Sequence, residues 1–461
     1  MHAMSTTAAV SSVRSARTLA LLQAPVPGLL LRLAGPNVLV MLAQASTGLI
    51  EAHFVGRLGT PALAGMALVF PGLMPMQMMS AGAVGGGISS AVARAPGAGR
   101  RADADALVLH ALAVSAGLGA VFCAAGLLAG PALYRAMGGD GAALEAALPY
   151  SSVVFAGAML LWVFNGLASC IRGTGDMLGP AVVIVGGAAV LVPLSPCLIF
   201  GLGPFPALGV AGGGVALLLY YAVGAAVFLA RLCNAGAGVR LRLHRLRAAP
   251  LWAILRVGLV TSLVTVQTNL VITLTTAYAG RFGAAAIAGY GAATRLKFLL
   301  VPLVFGLGAP LVAAVGANIG AGQHARALRV AWTGAGVAFV MTEVIGLCAA
   351  AWPGAWLGWF GQDPAMLQAG EAYLRTAGPF FGFFGRGMAL YFASQGAGRL
   401  AWPLAAAVLR MAAAVGGGWL ALRLGGSLPL VFLASGARLL LLGVVNAASV
   451  AGGAWLKGRP V

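Results

Sequence analysis

Charged side chains are scarce in this sequence. Only 8% of its 461 residues are charged, against about 25% in soluble globular proteins. Acidic residues are the rarest, with nine Asp and Glu against 28 Lys and Arg. A chain with so little polar surface cannot cover itself in water, which excludes a soluble enzyme and a disordered protein. No Gly-X-Y period accompanies the 69 glycines, which excludes a collagen-like fibre.

Several chemical motifs are also absent. The sequence has no CxxC pair, no HExxH motif, no Gly-Lys-Ser/Thr loop and no Ser/His/Asp set. These absences argue against a zinc site, a disulfide framework, an ATPase and a membrane-embedded enzyme, so we expect neither an enzyme nor a bound cofactor. The five cysteines are expected to be free, small apolar residues. They are Cys123, Cys170, Cys197, Cys233 and Cys348.

Apolar residues dominate what is present. They make up 61% of the chain, and the mean hydropathy is +0.96. Twelve apolar stretches are long enough to cross a bilayer, which takes about 20 residues. The sequence therefore predicts an all-α polytopic membrane protein with 12 transmembrane helices. The expected spans are 29–52, 62–90, 107–130, 150–170, 179–202, 209–232, 252–279, 285–318, 328–351, 371–393, 400–422 and 430–455.

Basic residues alternate between the two sides of these spans. One side carries 16 of them, including both chain ends, and the opposite side carries four, at Arg57, Arg135, Arg281 and Arg423. Because Lys and Arg are retained in cytoplasmic loops, we expect both termini in the cytoplasm. The same rule explains the net charge of +19 without nucleic acid. No signal-peptide cleavage site is expected before the first span.

The chain repeats itself at nearly one offset. The stretch 54–65 matches 278–289 at an offset of 224, and 97–99 matches 320–322 at 223. Gly173-Thr-Gly175 matches Gly396-Ala-Gly398, again at 223. Six spans per half give both halves one orientation, as in two-lobed transporters. The predicted parts are a cytoplasmic tail (1–28), an N-lobe (29–233), a basic cytoplasmic linker (234–250), a C-lobe (251–455) and a C-terminal tail (456–461).

The repeated motifs resemble those of the multidrug and toxic compound extrusion (MATE) transporters. Glu51-Ala-His-Phe-Val-Gly56 resembles the end of that family's first helix, and Ala317-Asn318-Ile319-Gly320 its segment after the eighth. The resemblance covers about residues 29–455. It implies two six-helix bundles in a V that export amphipathic, often cationic compounds in exchange for H⁺ or Na⁺. The residues that carry it are Gly56, Gly59, Arg172, Gly173, Gly175, Gly280, Gly283, Asn318, Gly320, Gly322, Gly396 and Gly398.

Two of the nine acids fall inside predicted spans, where an ionisable group is costly. Glu51 stands where the resemblance implies an Asp in the N-lobe cation site. Burial favours the protonated carboxyl, so Glu51 is the first candidate for binding the coupling ion, with His53 nearby to tune it. Glu343 has no family motif. It is a second coupling carboxylate, a determinant for cationic substrate, or the structural partner of a cation such as Lys297, Arg295 or Arg410.

The sequence also departs from what the resemblance implies. Many family members carry an acid in the fifth helix, whereas here Ser195 is the polar group beside Pro193 and Pro196. Ser195 is therefore the coupling-ion candidate of that helix. Members with a C-lobe Na⁺ site carry acids in helices seven and ten. Here helix seven offers Gln267 and Asn269, and helix ten offers Arg386. The sequence therefore favours H⁺ over Na⁺.

The expected cargo site is apolar and adaptable. Met74 and Met78 with Gln77 lie in the second span, where methionines can repack around varied ligands. Gln267 and Asn269 supply polar contacts. The prediction is a secondary antiporter for small amphipathic or cationic molecules, embedded in the bilayer and functional as a monomer. The open alternatives are a lipid-linked saccharide flippase of the same superfamily and a transport-inactive membrane scaffold.

Overall fold

The computed structural model describes residues 16–234, 238–423 and 425–455, with the side chains of Lys297 and Phe298 excepted. Residues 1–15 of the predicted tail, 235–237 of the predicted linker and the whole 456–461 segment lie outside the described residues. The described ranges consist of helices joined by turns and loops, and these ranges contain no β-strand. The predicted all-α class is confirmed.

Nine α-helices make up the first half of the described chain. They are α1 Ala16–Gln23, α2 Val26–Gly56, α3 Thr60–Met78, α4 Gly85–Gly97, α5 Arg101–Ala136, α6 Gly141–Ala156, α7 Ala158–Gly173, α8 Leu178–Phe200 and α9 Val210–Cys233. A π-helical segment, Met79–Val84, joins α3 to α4. The stretch Thr60–Gly97 therefore forms one continuous helical segment.

The second half of the described chain also contains nine. They are α10 Ala248–Gly280, α11 Ala284–Thr294, α12 Lys297–Gly320, α13 His324–Ala351, α14 Pro353–Leu357, α15 Pro364–Ala377, α16 Phe381–Ala397, α17 Ala401–Arg423 and α18 Leu428–Ala451. A 3₁₀ turn, Gly378–Phe380, stands between α15 and α16.

Ten helical segments of the described residues are long and apolar enough to cross a membrane, and an eleventh arises if α6 and α7, bent by 45° at Gly157, form one span. The predicted span 371–393 coincides with α15, the 3₁₀ turn and α16. Pro379 lies in that turn and has no N–H to donate, which breaks the helix there. The count by length and composition is thus ten or eleven, whereas the hydropathy pattern predicted 12.

The described chain divides into two compact units. The amino-terminal unit comprises residues up to Ala20 and Gly35–Leu259, and the carboxyl-terminal unit comprises Leu21–Ala34 and Val260 onward. Each has its own apolar core. In the amino-terminal unit, the fully buried Phe164 packs against three aromatic rings with centroids 5.2–5.3 Å apart, those of Tyr220, Tyr221 and Phe228.

The carboxyl-terminal core is built on a second aromatic cluster. Tyr290 of α11, Tyr373 of α15 and Phe432 of α18 meet with centroids 5.2–5.5 Å apart. Offset and edge-on aromatic pairs of this kind add to the stabilisation from buried area. Three helices distant in sequence are thereby held together at one point.

The internal repeat is visible in the backbone. Glycines in matching positions of the two halves have a positive φ, a conformation that side chains other than Gly rarely adopt. The pairs are Gly59 (φ 110°) with Gly283 (101°), Gly99 (77°) with Gly322 (72°), and Gly175 (87°) with Gly398 (70°). The same local turns thus follow corresponding helices in both halves, at the offsets found in the sequence.

Asp176, placed in a loop by the sequence, is buried and joins three elements. Its carboxylate accepts a hydrogen bond from Gly179 N–H at 2.8 Å and pairs with Arg17 at 3.1 Å and Arg231 at 3.2 Å. Arg17 belongs to α1 and Arg231 to α9. One carboxylate therefore ties the first helix and α9 to the turn before α8.

We expect Asp176→Asn to lower the free energy of unfolding by about 1–2 kcal/mol, because the two partly exposed arginines lose their buried counter-charge. Thermal unfolding in detergent measures this loss. Asp140→Asn, at an exposed acid of the same unit, is the matched control. Equal stability of both variants would show that the Asp176 cluster contributes nothing.

Candidate functional site

A small pocket in the amino-terminal unit contains Glu51. It is lined by α2 and α8, and its residues are Thr47, Ile50, Glu51, Leu191, Val192 and Ser195. Two residues that the sequence named for ion coupling, Glu51 and Ser195, therefore lie on one pocket although they belong to different helices. The structure thus brings together a carboxyl and a hydroxyl in largely apolar surroundings.

The hydrogen-bond partner of Glu51 comes from a third helix. The buried Tyr150 hydroxyl of α6 donates to Glu51 Oε1 over a long 3.4 Å. Tyr221 of α9 is close enough to interact electrostatically with Glu51, and its hydroxyl is hydrogen-bonded to Gln77 of α3. Gln77, predicted as a cargo contact, is thus linked to the carboxyl through a tyrosine.

A glycine makes room for the carboxyl. A Cβ at Gly213 of α9 would lie 2.9 Å from Glu51 Oε1, so a side chain there would displace it. Glu51 is one methylene longer than the Asp implied by the family resemblance. Gly213 therefore leaves space for this longer side chain.

The free space inside the pocket is small. The space open to a water molecule is about 10 Å³, close to the least that holds one water. The buried Ser195 Oγ has no hydrogen-bond partner within the described residues, and Pro196 has no N–H for the Val192 carbonyl four residues earlier. The serine hydroxyl and the Glu51 carboxyl thus lie on a space of one-water size whose lining is otherwise mostly apolar.

The other candidates of the first two spans lie outside this pocket lining. His53 is exposed, and its ring meets Phe54 edge-on at 5.8 Å. Met78 is exposed and Met74 is half-buried on α3. The structure therefore does not join the methionines or His53 to the Glu51 pocket.

Glu343 contacts a helix N-terminus. Its Oε2 accepts a hydrogen bond of 2.6 Å from the N–H of Gly382, in the first turn of α16 after the 3₁₀ turn. A carboxylate is stabilising there because the first N–H groups of a helix lack partners. Of the cations proposed for it, Arg295 lies over the Phe360 ring and Arg410 bonds Thr268, while the Lys297 side chain is outside the described residues.

We expect Glu343→Gln to keep stability near the wild-type value, because the amide oxygen still accepts from Gly382. Glu343→Ala removes the acceptor and should cost about 1 kcal/mol. Thermal unfolding separates the two variants. Should Glu343→Gln instead abolish ion-driven transport with unchanged stability, Glu343 would be a coupling residue.

The two candidates from the predicted seventh span, Gln267 and Asn269, lie on α10 in the carboxyl-terminal unit. Gln267 donates through Nε2 to the Ala407 carbonyl, and its Oε1 is buried without a partner among the described residues. Asn269 donates to the Thr265 carbonyl at 3.0 Å, one turn earlier in its own helix. Gln267 thus bridges α10 and α17, whereas Asn269 makes a local contact.

Asn318 of the repeated motif anchors the start of the chain. Fully buried, it donates through Nδ2 to the carbonyls of Leu21 at 3.1 Å and Ala314 at 2.8 Å. Arg326 adds contacts to Leu21 and Ala24. This motif residue therefore holds Leu21, in the last turn of α1, within the carboxyl-terminal unit.

The family model MatE matches the chain twice, over residues 36–197 and 260–420. The two matches begin 224 and end 223 residues apart, as the duplicated motifs do. The chain belongs to the MatE family. It is a multi-pass membrane transporter rather than an enzyme, and the predicted resemblance is confirmed.

The names of similar proteins point to different transported molecules. The chain is 30% identical over 315 residues to the FAD transporter of Shewanella oneidensis, covering 67% of this chain and 68% of the relative. It is 24% identical over 374 residues to the probable multidrug resistance protein NorM of Thermotoga maritima, covering 80% and 79%. The probable multidrug resistance protein NorM of Deinococcus radiodurans is 29% identical over 328 residues, 67% of each chain.

Solved MATE structures share the whole fold. A multidrug resistance MATE transporter in an outward-facing conformation superposes with a TM-score of 0.85 at 25% identity, covering 96% of this chain and all of the other. A transporter from Pyrococcus furiosus, described as having a binding pocket of reversed polarity, gives 0.83 with the same identity and coverage. The MATE fold of this chain is thereby shown.

Sequence reasoning missed the tyrosines. Tyr150 and Tyr221 lie in apolar spans with no motif around them, so nothing in the sequence linked them to Glu51. Sequence reasoning also placed Asp105 in a loop, whereas it is buried in α5 and accepts from Arg240 N–H at 2.8 Å. Asp105 lies two residues before the predicted span 107–130, and an acid buried there is costly unless it has a partner. That cost is the sequence signal that could have marked Asp105 as a paired, buried acid.

Proposed function

We propose that this MATE transporter exports small amphipathic molecules in exchange for protons, with Glu51 as the proton-binding residue. The observation that carries the proposal is the pocket that joins Glu51 to Ser195 inside the amino-terminal unit. In apolar surroundings the protonated, neutral form of a carboxyl is favoured over the charged carboxylate, so Glu51 can bind a proton there. The size of the pocket fits a proton carried by one water better than a drug molecule.

Protonation would bias transport as follows. Glu51 is neutral when protonated and charged when not, and the two forms have different affinities for a closed, apolar pocket and for a hydrated one. A proton that binds one conformation better shifts the population toward it. A proton gradient can thereby drive alternation between outward-open and inward-open states.

Proton coupling is favoured over sodium coupling by the donor set. The pocket lining has one carboxylate, and α8 brings a serine where the resemblance implies an acid. In the carboxyl-terminal unit, Arg386 of α16 lies over the Trp332 ring at 5.6 Å, a position for which a sodium site would need an acid. One carboxylate with two hydroxyls is sufficient for a proton.

The architecture proposed from the sequence accompanies this function. The lobes are 29–233 and 251–455, joined by 234–250, with both termini in the cytoplasm of a bacterial inner membrane. Support comes from the 16-to-four asymmetry of basic residues and from the double match of the family model. We propose a monomer as the working unit.

Two classes of cargo fit this family. Organic cations are proposed from the sequence and supported by the multidrug names of the NorM relatives. The second class is a flavin nucleotide, supported by the 30% identity to the Shewanella oneidensis FAD transporter. The two classes differ in charge, so one assay can separate them.

The test uses purified protein in liposomes loaded with ethidium or with FAD. A pH gradient and a Na⁺ gradient are imposed in turn, and cargo movement is followed by fluorescence. We expect movement with the pH gradient alone. Movement only with Na⁺ would refute proton coupling, and no movement of either cargo under either gradient would refute the proposed exporter of these cargo classes.

A further inference from the structure

Two arginines are buried in the middle of the carboxyl-terminal unit. Arg410 and Arg438 are each only 3% exposed. Arg410 lies nine residues into α17 and Arg438 ten residues into α18, roughly 14 and 15 Å along their helices. In a hydrocarbon layer about 30 Å thick, both lie near the membrane centre, where a charged residue by default marks function.

Neutral hydroxyls surround the two guanidinium groups. Arg410 donates to Thr268 Oγ1 at 2.6 Å, and Arg438 lies close enough to the Tyr373 hydroxyl to interact with it electrostatically. The two cations are close enough to repel one another. The Nε atoms of both are buried without a hydrogen-bond partner among the described residues.

No carboxylate among the described residues of this unit pairs with them. Glu343 is committed to the Gly382 N–H. Asp363 caps α15 through the N–H groups of Ala365 and Met366. Glu371 pairs with Arg375 at 3.4 Å on the surface of the same helix. Each of these three acids therefore has a partner other than Arg410 or Arg438.

This arrangement demands an external counter-charge. Buried charges are normally paired, because an unpaired ion in an apolar interior costs several kcal/mol. An acid or a lysine could escape that cost by changing its protonation, but a guanidinium remains charged. Its planar set of N–H donors matches the oxygens of phosphate and carboxylate groups.

We propose that Arg410 and Arg438 together bind a phosphate or carboxylate group of the transported molecule. The inference rests on the proposed export function and narrows its cargo to amphipathic anions. The amino-terminal unit then binds the coupling proton at an acid, and the carboxyl-terminal unit binds the anionic part of the cargo at a pair of arginines. The two tasks are assigned to residues of opposite charge.

The test compares two probes that differ only in a phosphate. Riboflavin and riboflavin 5′-phosphate share one fluorescent ring, so their binding to purified protein in detergent is measured by the same fluorescence titration. We expect wild-type protein to bind the phosphate form at least about tenfold more tightly. Arg410→Gln and Arg438→Gln should each remove most of that preference. Equal affinity of wild-type protein for both probes would overturn the inference.

A matched control lies on the same helix. Arg423 is exposed at the end of α17, over the Trp419 ring, so Arg423→Gln should keep the full preference. Arg410→Lys and Arg438→Lys keep the positive charge and replace a Gln variant that fails to fold. They should retain a part of the preference for riboflavin 5′-phosphate over riboflavin. A preference that survives in the folded double Gln variant would also overturn the inference.

Competition separates the sources of the anion. We expect millimolar chloride, inorganic phosphate or phosphatidylglycerol to leave riboflavin 5′-phosphate bound. Displacement by the simple anions would assign the arginines to a free ion, and displacement by the lipid would assign them to a headgroup; either result overturns cargo recognition. Glu51→Gln should keep the charge preference while losing transport, so failure of this inference and failure of proton coupling give different results.

Discussion

Replacing Glu51 by Gln should reduce proton-driven cargo movement at least about tenfold, to the level of protein-free liposomes. Glutamine has nearly the same shape and can still accept a hydrogen bond from Tyr150, whose hydroxyl lies 3.4 Å from the Glu51 carboxyl. It cannot exchange a proton, so it has one charge state in both conformations. A ligand can shift an equilibrium only through differential binding to its two states. The liposome assay with an imposed pH gradient measures the loss.

Two variants make this result specific. Glu145 is exposed on α6 of the same unit, and Glu145→Gln should transport like wild-type protein. Glu51→Asp keeps the exchangeable proton on a shorter side chain and should retain part of the activity. Transport that survives Glu51→Gln in folded protein would contradict the site assignment and direct attention to Glu343.

A side chain at Gly173 or Gly396 should destabilise the fold more than any surface change. A Cβ at Gly173 would lie 2.8 Å from the Ser89 carbonyl oxygen, and one at Gly396 would lie 2.6 Å from that of Val312. The obstacle in each case is backbone, which cannot move aside as a side chain can. Gly173→Val and Gly396→Val should each cost about 3 kcal/mol and lower the melting temperature by about 3 °C.

Glycines in open positions provide the comparison. At Gly117 of α5 and Gly416 of α17, no atom of a neighbouring group lies within 4 Å of the position that a Cβ would take. Gly117→Val and Gly416→Val should therefore melt within about 1 °C of wild-type protein. Equal losses at all four positions, in thermal unfolding followed by tryptophan fluorescence, would show that the repeated motif does not mark close helix contact.

The repeated glycines also show which parts of the fold follow from local sequence. Gly59 and Gly283 follow matching helices with φ values of 110° and 101°. A positive φ requirement acts on one residue at a time, so a sequence motif records it directly. The same holds for the apolar length of each span, because hydropathy acts over one helix.

The helix count was less predictable than the helices themselves. Hydropathy integrates over about 20 residues and predicts 371–393 as one span, since Pro379 is itself compatible with an apolar stretch. The structure interrupts this segment with a 3₁₀ turn and supplies Glu343 to the new helix start. A partner 39 positions away in the chain decides how that break is stabilised.

The sequence by itself determined the membrane class, the duplication, the family and the choice of Glu51, because a rare acid in an apolar span stands out without any structure. Only the tertiary structure decided which groups meet that acid: Tyr150 is 99 positions away, and Ser195 is on another helix. The tertiary structure alone placed Arg410 beside Arg438 and gave the described acids of their unit other partners. Hydropathy and glycine turns are local properties, whereas a binding site depends on packing between helices that are distant in the chain.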